Sequence, residues 1–327
     1  MTKTTLFHCF TTLVLTLGLV GCRSSSPSSQ TVVVRPAYGT LEELFQTEIV
    51  NLGLEELGYN VIAGSELEYD IIHEAIASHY LDFTASHWQP LHNNYFQNNG
   101  GTETMERVGV VVADARQGYL IDQETAQRYN ITSLTQLQDP QLAQVFDTDG
   151  DGKANLVGCN PGWGCAEEIE KHLDAYNLRE TVEHDQGNYF ALIETAIDRY
   201  EEGQPILYYT WTPLWVSEVL RPQEDVTWLA VSSDNTGENT ATVEGKNLGF
   251  AANQIGVLAN RDFLEEHPDA KRWFELVNVP LADVSQQNLR MKQGENTPEQ
   301  IRQHAAEWVQ ENQQQFNSWV EEAQLRQ

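Results

Sequence analysis

A chain of 327 residues with 19 basic against 48 acidic side chains, a formal charge of −29, lacks the basic surface that nucleic acid requires, which excludes that partner. The acidity instead reads as a solubility device of a protein that works outside the cytoplasm. The length exceeds the usual size of one compact core, so two lobes are expected.

Residues 1–21 read as a signal peptide, with a basic start at Lys3 and an apolar run centred on Leu13 to Leu19. The run is too short and too threonine-rich for a membrane span. Leu19-Val20-Gly21-Cys22 fits a lipoprotein cleavage site, so Cys22 is expected to open the mature chain and carry a lipid anchor; ordinary cleaved export is the alternative. Residues 22–30, rich in serine, then form a flexible tether.

The β-branched run Thr31 to Arg35 predicts a first strand, and Leu41 to Leu57 carries helical apolar spacing, a start that favours an α/β lobe. Further short strands are expected at Val61 and Ile62, Tyr69 to Ile72, Phe83 and Thr84, Val108 to Val112, and Gly118 to Ile121. Helices are expected at His73 to His79 and Gln123 to Tyr129, and from Leu134 to Phe146 with a break at Pro140. Gly249 to Leu258 is strand-like, and Phe263 to Leu276 and Pro298 to Gln324 read as helices, the last with Trp308 and Trp319 as core residues.

Cys9 leaves with the signal and Cys22 is the lipid acceptor, which leaves Cys159 and Cys165 in G-C-N-P-G-W-G-C. They are spaced to pair in an oxidising compartment; two free thiols or half of a metal site are the alternatives. The turn residues between them present Trp163 and the backbone N–H groups of Gly164 and Cys165 in a fixed direction. Trp88 in S-H-W-Q-P-L-H and Trp211 in Y-Y-T-W-T-P-L-W also sit among polar, proline or glycine neighbours, unlike tryptophans inside a core run.

Converging tryptophans suit a bulky, poorly hydrated cation such as a quaternary ammonium. Three such contacts contribute roughly 2–6 kcal/mol, against the ~8 kcal/mol of micromolar affinity, so a second handle on the ligand is needed. His92, four residues after Trp88, and the amides of Gly164 and Cys165 are suitable donors to a carboxylate. His87 has less support. The histidines of H-E-A-I-A-S-H, His73 and His79, are six apart where a zinc helix needs four.

Asp147, Asp149 and Asp151, followed by Gly152, copy the opening of a calcium loop, but Gly158 stands where its closing acid belongs. A structural Ca²⁺ or a plain Asp/Gly turn both fit; no other cofactor is expected. No G-x-S-x-G, P-loop or H-E-x-x-H occurs, so an enzyme is not expected.

At these residues the chain resembles the ProX-type substrate-binding proteins of glycine betaine and proline betaine ABC importers. The resemblance rests on E-E-L-G-Y at 55–59, W-Q-P-L-H-N-N at 88–94, Q-G-Y-L-I-D at 117–122, L-V-G-C-N-P-G-W-G-C at 156–165, Q-G-N-Y at 186–189 and Y-Y-T-W-T-P-L-W at 208–215. It implies an α/β, two-lobed periplasmic-binding-protein (Venus-flytrap) fold, type II-like, with two hinge crossovers. Residues 31–113 plus 250–327 would form lobe I and residues 114–249 lobe II. Trp88, Trp163 and Trp211 would box the trimethylammonium group. His92 and the amides of Gly164 and Cys165 would hold the carboxylate, beside a Cys159–Cys165 disulfide. A membrane permease and an ATPase would be the partners, and osmoprotection the role.

Two other readings share these residues. One is a ligand-sensing lipoprotein that binds the same zwitterions without transport; the other is a calcium-stabilised lipoprotein with no small ligand.

Overall fold

The computed structural model describes residues 1–2, 31–231 and 240–326. The signal peptide, Cys22 and the tether of residues 22–30 lie outside the described residues. From Val32 onward the chain forms one compact unit.

Its framework is a nine-stranded mixed sheet. From edge to edge run Ser65–Glu66, Pro36–Tyr38, Phe83–Gln89, Asn253–Asn260, Met105–Asp122, Leu207–Thr212, Ala154–Val157 and Val182–Asp185, with Val226–Trp228 beside Met105–Asp122. The strands toward each edge pair in parallel, as α/β connections dictate. In the middle, Met105–Asp122 and Asn253–Asn260 run antiparallel to their neighbours.

The 18-residue strand Met105–Asp122 serves two sets of partners. Met105 to Ala115 face Asn253–Asn260, whereas Arg116 to Ile121 face Leu207–Thr212. Asp114, at the changeover, has a φ of 61°, a left-handed conformation that only a few non-glycine residues adopt. The hydrophobic core divides at the same place. One cluster runs from Tyr119 to Phe250 in sequence; another draws on Val34 to Ala115 and on Ile255 to Ala323, with Trp211 packed against both.

Several expected elements take a different form. Tyr69 to Ile72 belong to the helix Tyr69–Ala77, not to a strand, because Ile72 and Ile76 stack one turn apart on its buried face while Ile71 points outward. Val108 to Val112 and Gly118 to Ile121 are one strand rather than two. Leu134 to Phe146 breaks into two 3₁₀ turns flanking Pro140–Ala143, with Ser133 and Asp139 capping the first turn and the short helix. The two C-terminal helices each divide: Arg261–Glu266 and Pro268–Leu276 at a proline, Pro298–Glu311 and Gln313–Gln324 at Asn312. Gly249 to Leu258 spans the end of Lys246–Ala251 and the start of Asn253–Asn260.

The helix Leu44–Glu56 is buried along most of its length and crosses Trp273, whose Nε1 donates to the Val50 carbonyl at 2.9 Å. A Cβ on Gly53 would lie 2.0 Å from Trp273 Cζ2. Helix propensity alone would favour Gly53→Ala by about 1 kcal/mol. The clash reverses that sign, so Gly53→Ala is expected to destabilise by roughly 1–3 kcal/mol. A lowered urea midpoint with unchanged slope checks this; a raised midpoint contradicts the packing.

Candidate functional site

Trp88 lies one residue from the end of the strand Phe83–Gln89, and the chain turns through Pro90 and Leu91 to His92, ahead of the helix Asn93–Asn98. The turn is closed by two bonds: the His92 amide donates to the Trp88 carbonyl at 2.7 Å, and the Trp88 amide donates to His92 Nδ1 at 3.3 Å. Nδ1 is therefore an acceptor, which leaves the proton of a neutral ring on Nε2. Burial, followed by the nearby His87, His73 and Arg107, pushes the His92 pKa well below its ordinary value. The ring is a neutral N–H donor, not a cation.

The cysteine-bracketed loop is fixed at both ends. Cys159 and Cys165 are disulfide-bonded, with their Cα atoms 6.2 Å apart. The Trp163 amide donates to the Asn160 carbonyl at 3.1 Å, and Asn160 Oδ1 accepts from the Tyr189 amide at 2.7 Å. Gly158 has no room for a side chain, since a Cβ would sit 1.9 Å from His184 Nε2. Trp163 stands at the N-cap of the helix Gly164–Ala175. The amides of Gly164 and Cys165 are thus its first two, with no carbonyl one turn earlier to bond and with the positive end of the helix dipole behind them.

Trp211, one residue from the end of Leu207–Thr212, completes an aromatic wall. Its ring centroid lies 5.9 Å from that of Trp163 at 75°, 4.6 Å from Tyr189 and 6.0 Å from Tyr209. These tilted arrangements suit the ring quadrupoles.

All six candidate ligand-binding residues, Trp88, His92, Trp163, Gly164, Cys165 and Trp211, line one cavity. The space among them open to a water-sized sphere is about 40 Å³, a tight pocket. Sequence reasoning missed other residues of that cavity: Glu42, Glu43, Tyr69, Gln117 and Tyr209. Tyr69 packs 6.2 Å from Trp163 and 4.4 Å from His92. Glu43 Oε1 accepts from Trp88 Nε1 at 2.8 Å and from the Tyr69 hydroxyl at 3.0 Å. Burial pushes the Glu42 carboxyl up to about 7.

Behind His92 lie two more buried histidines. His73, His87 and His92 each place a ring nitrogen within 4.8 Å of the others, whereas His79 instead pairs with Asp82 at 3.2 Å. Hydrogen bonds account for the first two without a metal. Arg107 Nε donates to His87 Nε2 at 2.9 Å, so a neutral His87 carries its proton on Nδ1 and donates to His73 Nε2 at 3.1 Å. His73 then donates from Nδ1 to the Tyr69 carbonyl at 2.5 Å. A proton added anywhere along this chain sets two donors face to face.

Asp147, Asp149 and Asp151 also meet within 4.8 Å. The Asp147 carboxylate accepts from the amides of Gly150 at 2.6 Å, Gly152 at 2.9 Å and Asp149 at 3.2 Å, and these bonds hold its pKa below the usual range.

The arrangement is an aromatic cavity that also presents neutral N–H donors, and comparison with known proteins agrees with it. Residues 36–311 match the family described as the substrate binding domain of the ABC-type glycine betaine transport system. The chain belongs to that family. It is 45% identical over 318 residues to the glycine betaine-binding periplasmic protein OusX of Dickeya dadantii, covering 95% of each chain. It is also 45% identical over 298 residues to a glycine betaine/proline betaine-binding periplasmic protein of Salmonella typhimurium, covering 89% of this chain and 90% of the relative. Among solved structures it resembles lactococcal OpuAC complexed with glycine betaine (TM-score 0.68, 19% identity, 88% of this chain and 99% of that one). The glycine betaine, L-proline-binding protein ProX of Borrelia burgdorferi is also similar (TM-score 0.70, 17% identity, 90% and 98%).

These structures share the two-lobed α/β periplasmic-binding-protein fold expected from the sequence. Members of the family are binding components of importers, not enzymes. The curated relatives are periplasmic proteins, and no helix among the described residues is long and apolar enough to cross a membrane.

The histidine chain generates a pH prediction. Burial pushes His73 down to about 4 and holds His87 and His92 well below the ordinary value. Below about pH 6.5 the unfolded chain takes up protons that the folded cluster refuses. These residues therefore subtract stability as pH falls from about 6.5 toward 4. Glu42, raised by burial, works in the opposite direction over part of that range, so the test is comparative. His87→Asn keeps one donor and one acceptor, and it is expected to lose less melting temperature than wild type between pH 7 and pH 5. Equal losses in the two proteins would contradict the assignment.

Proposed function

We propose that this protein is the extracytoplasmic receptor of an ABC importer for glycine betaine, proline betaine and like quaternary-ammonium solutes, serving osmoprotection. The observation that carries the reading is the single cavity lined by Trp88, Trp163 and Trp211 together with His92 and the first amides of the helix Gly164–Ala175. The indoles replace the hydration of a trimethylammonium group that cannot donate hydrogen bonds. The His92 Nε2–H and the Gly164 and Cys165 amides hold the carboxylate.

In this reading residues 31–113 plus 250–327 form one lobe and residues 114–249 the other. The change of strand partners near Ala115 and the division of the core support it. Trp88 and His92 then come from the first lobe, Trp163 and Trp211 from the second. Contacts run between the two: Tyr95 donates to the Gly162 carbonyl at 2.5 Å, and Leu91 packs on Gly164. A box completed only when the lobes meet gives the ligand its preference for the closed state. That state is what a membrane permease, driven by its ATPase, would read. Cys22, on the strength of its sequence context, would hold the protein to a membrane by a lipid anchor.

Calorimetric titration of the oxidised, tether-free protein tests the ligand. Saturable binding of glycine betaine is expected, with choline weaker because it lacks the carboxylate. Trp163→Ala should lose affinity on the order of tenfold or more. A folded protein that binds no betaine would end this reading.

A structural calcium ion on Asp147, Asp149 and Asp151 is a separate part of the proposal, supported by the three converging carboxylates. Bound calcium would raise the melting temperature and a chelator would reverse the rise. Melting indifferent to both would leave the loop as an Asp/Gly turn held by its own amides.

A further inference from the structure

We propose that Glu43 is a specificity-determining residue of the cavity: its carboxylate is the counter-charge for the cationic pole of the ligand and makes the site select a charged quaternary centre over an uncharged one of the same shape. The inference rests on the betaine reading above and adds a determinant to it.

Glu43 closes the 3₁₀ turn Leu41–Glu43 that leads into the helix Leu44–Glu56, and it lines the cavity while remaining only 6% exposed. Four groups donate to it. Oε1 accepts from Trp88 Nε1 at 2.8 Å and from the Tyr69 hydroxyl at 3.0 Å; Oε2 accepts from the Gly39 amide at 2.9 Å and the Thr40 amide at 3.3 Å. Three of these four are N–H groups that can only donate. A protonated carboxyl would point its hydrogen at one of them or depend on the tyrosine alone, so the environment is built for the anion. Burial outweighs these donors and raises the Glu43 pKa above its ordinary value, while the four hydrogen bonds hold it down.

A buried anion ordinarily has a basic partner. Among the described residues no lysine, arginine or histidine makes an ion pair with Glu43, although the neighbouring Glu48 and Glu55 share Arg302. What Glu43 faces instead is the aromatic cavity. A cation seated there supplies the missing charge at short range and in low dielectric, where the attraction is strong. The bond from Trp88 Nε1 adds a second effect: an indole whose N–H is bound to an anion holds more electron density on its ring face, which strengthens its attraction for a cation.

Glu43 also forms a capping box with Thr40, so a purely structural role is the competing account. The two accounts differ in what they do to selectivity. The probe pair is glycine betaine and 3,3-dimethylbutanoate, which keeps the carboxylate and the three methyl groups but replaces the charged nitrogen with carbon. Calorimetric titration of both ligands is made with wild type and with Glu43→Gln, each checked for folding by thermal melting.

The expected result is a tenfold or greater fall in the betaine-to-dimethylbutanoate affinity ratio in Glu43→Gln, arising mainly from weaker betaine binding. Equal weakening of both ligands would overturn the proposal and leave Glu43 as a prop for Trp88 and Tyr69. If Glu43→Gln does not fold, Glu43→Asp, which withdraws the charge by one methylene, takes its place; a lower ratio supports the proposal and an unchanged ratio overturns it. Betaine bound tightly by wild type with a ratio indifferent to Glu43 would refute this inference while sparing the receptor reading. A wild-type protein that binds neither ligand would remove both.

Discussion

The structure depends on one continuous hydrogen-bonded strand. Met105–Asp122 spends its first part in a ladder with Asn253–Asn260 and its second in a ladder with Leu207–Thr212, so the two hydrophobic cores are joined by backbone as well as by packing. Every ladder bond lost at the changeover would expose a donor and an acceptor that need partners. The left-handed residue Asp114 sits there without ending the strand. The cavity forms where this strand passes from one core to the other: Gln117 comes from the strand itself, Ile255 from its neighbour on one side, and Tyr209 and Trp211 from its neighbour on the other. A site built at such a junction inherits any change in the relation of its two sides.

The walls of that site are held by contacts that do not involve ligand. Trp211 leans on Tyr189, Tyr189 donates its hydroxyl to Thr210 Oγ1 at 2.9 Å, and its amide is bound by Asn160 inside the disulfide loop. Trp88 is steered by Glu43 at its indole nitrogen and by His92 at its backbone. Orienting rings in advance matters because an aromatic face attracts a cation only when turned toward it, and ordering the rings during binding would consume part of a modest interaction energy.

Legibility in the sequence followed the range of the interaction. Trp88, Trp163, Trp211 and His92 were readable because each sits in a short segment whose proline, glycine and polar neighbours betray a loop or strand end. The Cys159–Cys165 loop carries its geometry within seven residues. Glu43 and Tyr69 were not readable. Glu43 meets Trp88 45 residues away and Tyr69 26 residues away, and nothing beside Glu43 in T-L-E-E-L marks it as more than a helix-start acid. Tyr69 reads as strand from the β-branched Ile71 and Ile72 after it, and only the stacking of Ile72 on Ile76 settles the segment as helix. The histidine chain was hidden for the same reason: His73 and His87 lie on a helix and a strand that meet only in the folded protein. The division of Pro298 to Gln324 at Asn312 is likewise tertiary, since apolar spacing continues across the break.

The charges around the cavity are arranged unequally, and the inequality has a chemical sense. At the end where the carboxylate is proposed to sit, the donors are a neutral imidazole and two helix-start amides, which together offer dipoles and a fraction of a positive charge. The same cavity also holds a buried carboxylate, Glu43, bound to Trp88 and Tyr69, and Glu42 lines it too. A simple anion would find donors but also a nearby negative charge in low dielectric, and a simple cation would find rings and a counter-ion but leave the amides facing nothing. A zwitterion whose cationic pole is too bulky to hydrogen-bond satisfies both ends at once. Keeping His92 neutral is part of this balance. A charged imidazolium would strengthen the hold on any carboxylate, and burial next to His87, His73 and Arg107 is what prevents it. The histidine chain behind the site therefore helps keep the His92 ring neutral, although only His92 reaches the cavity.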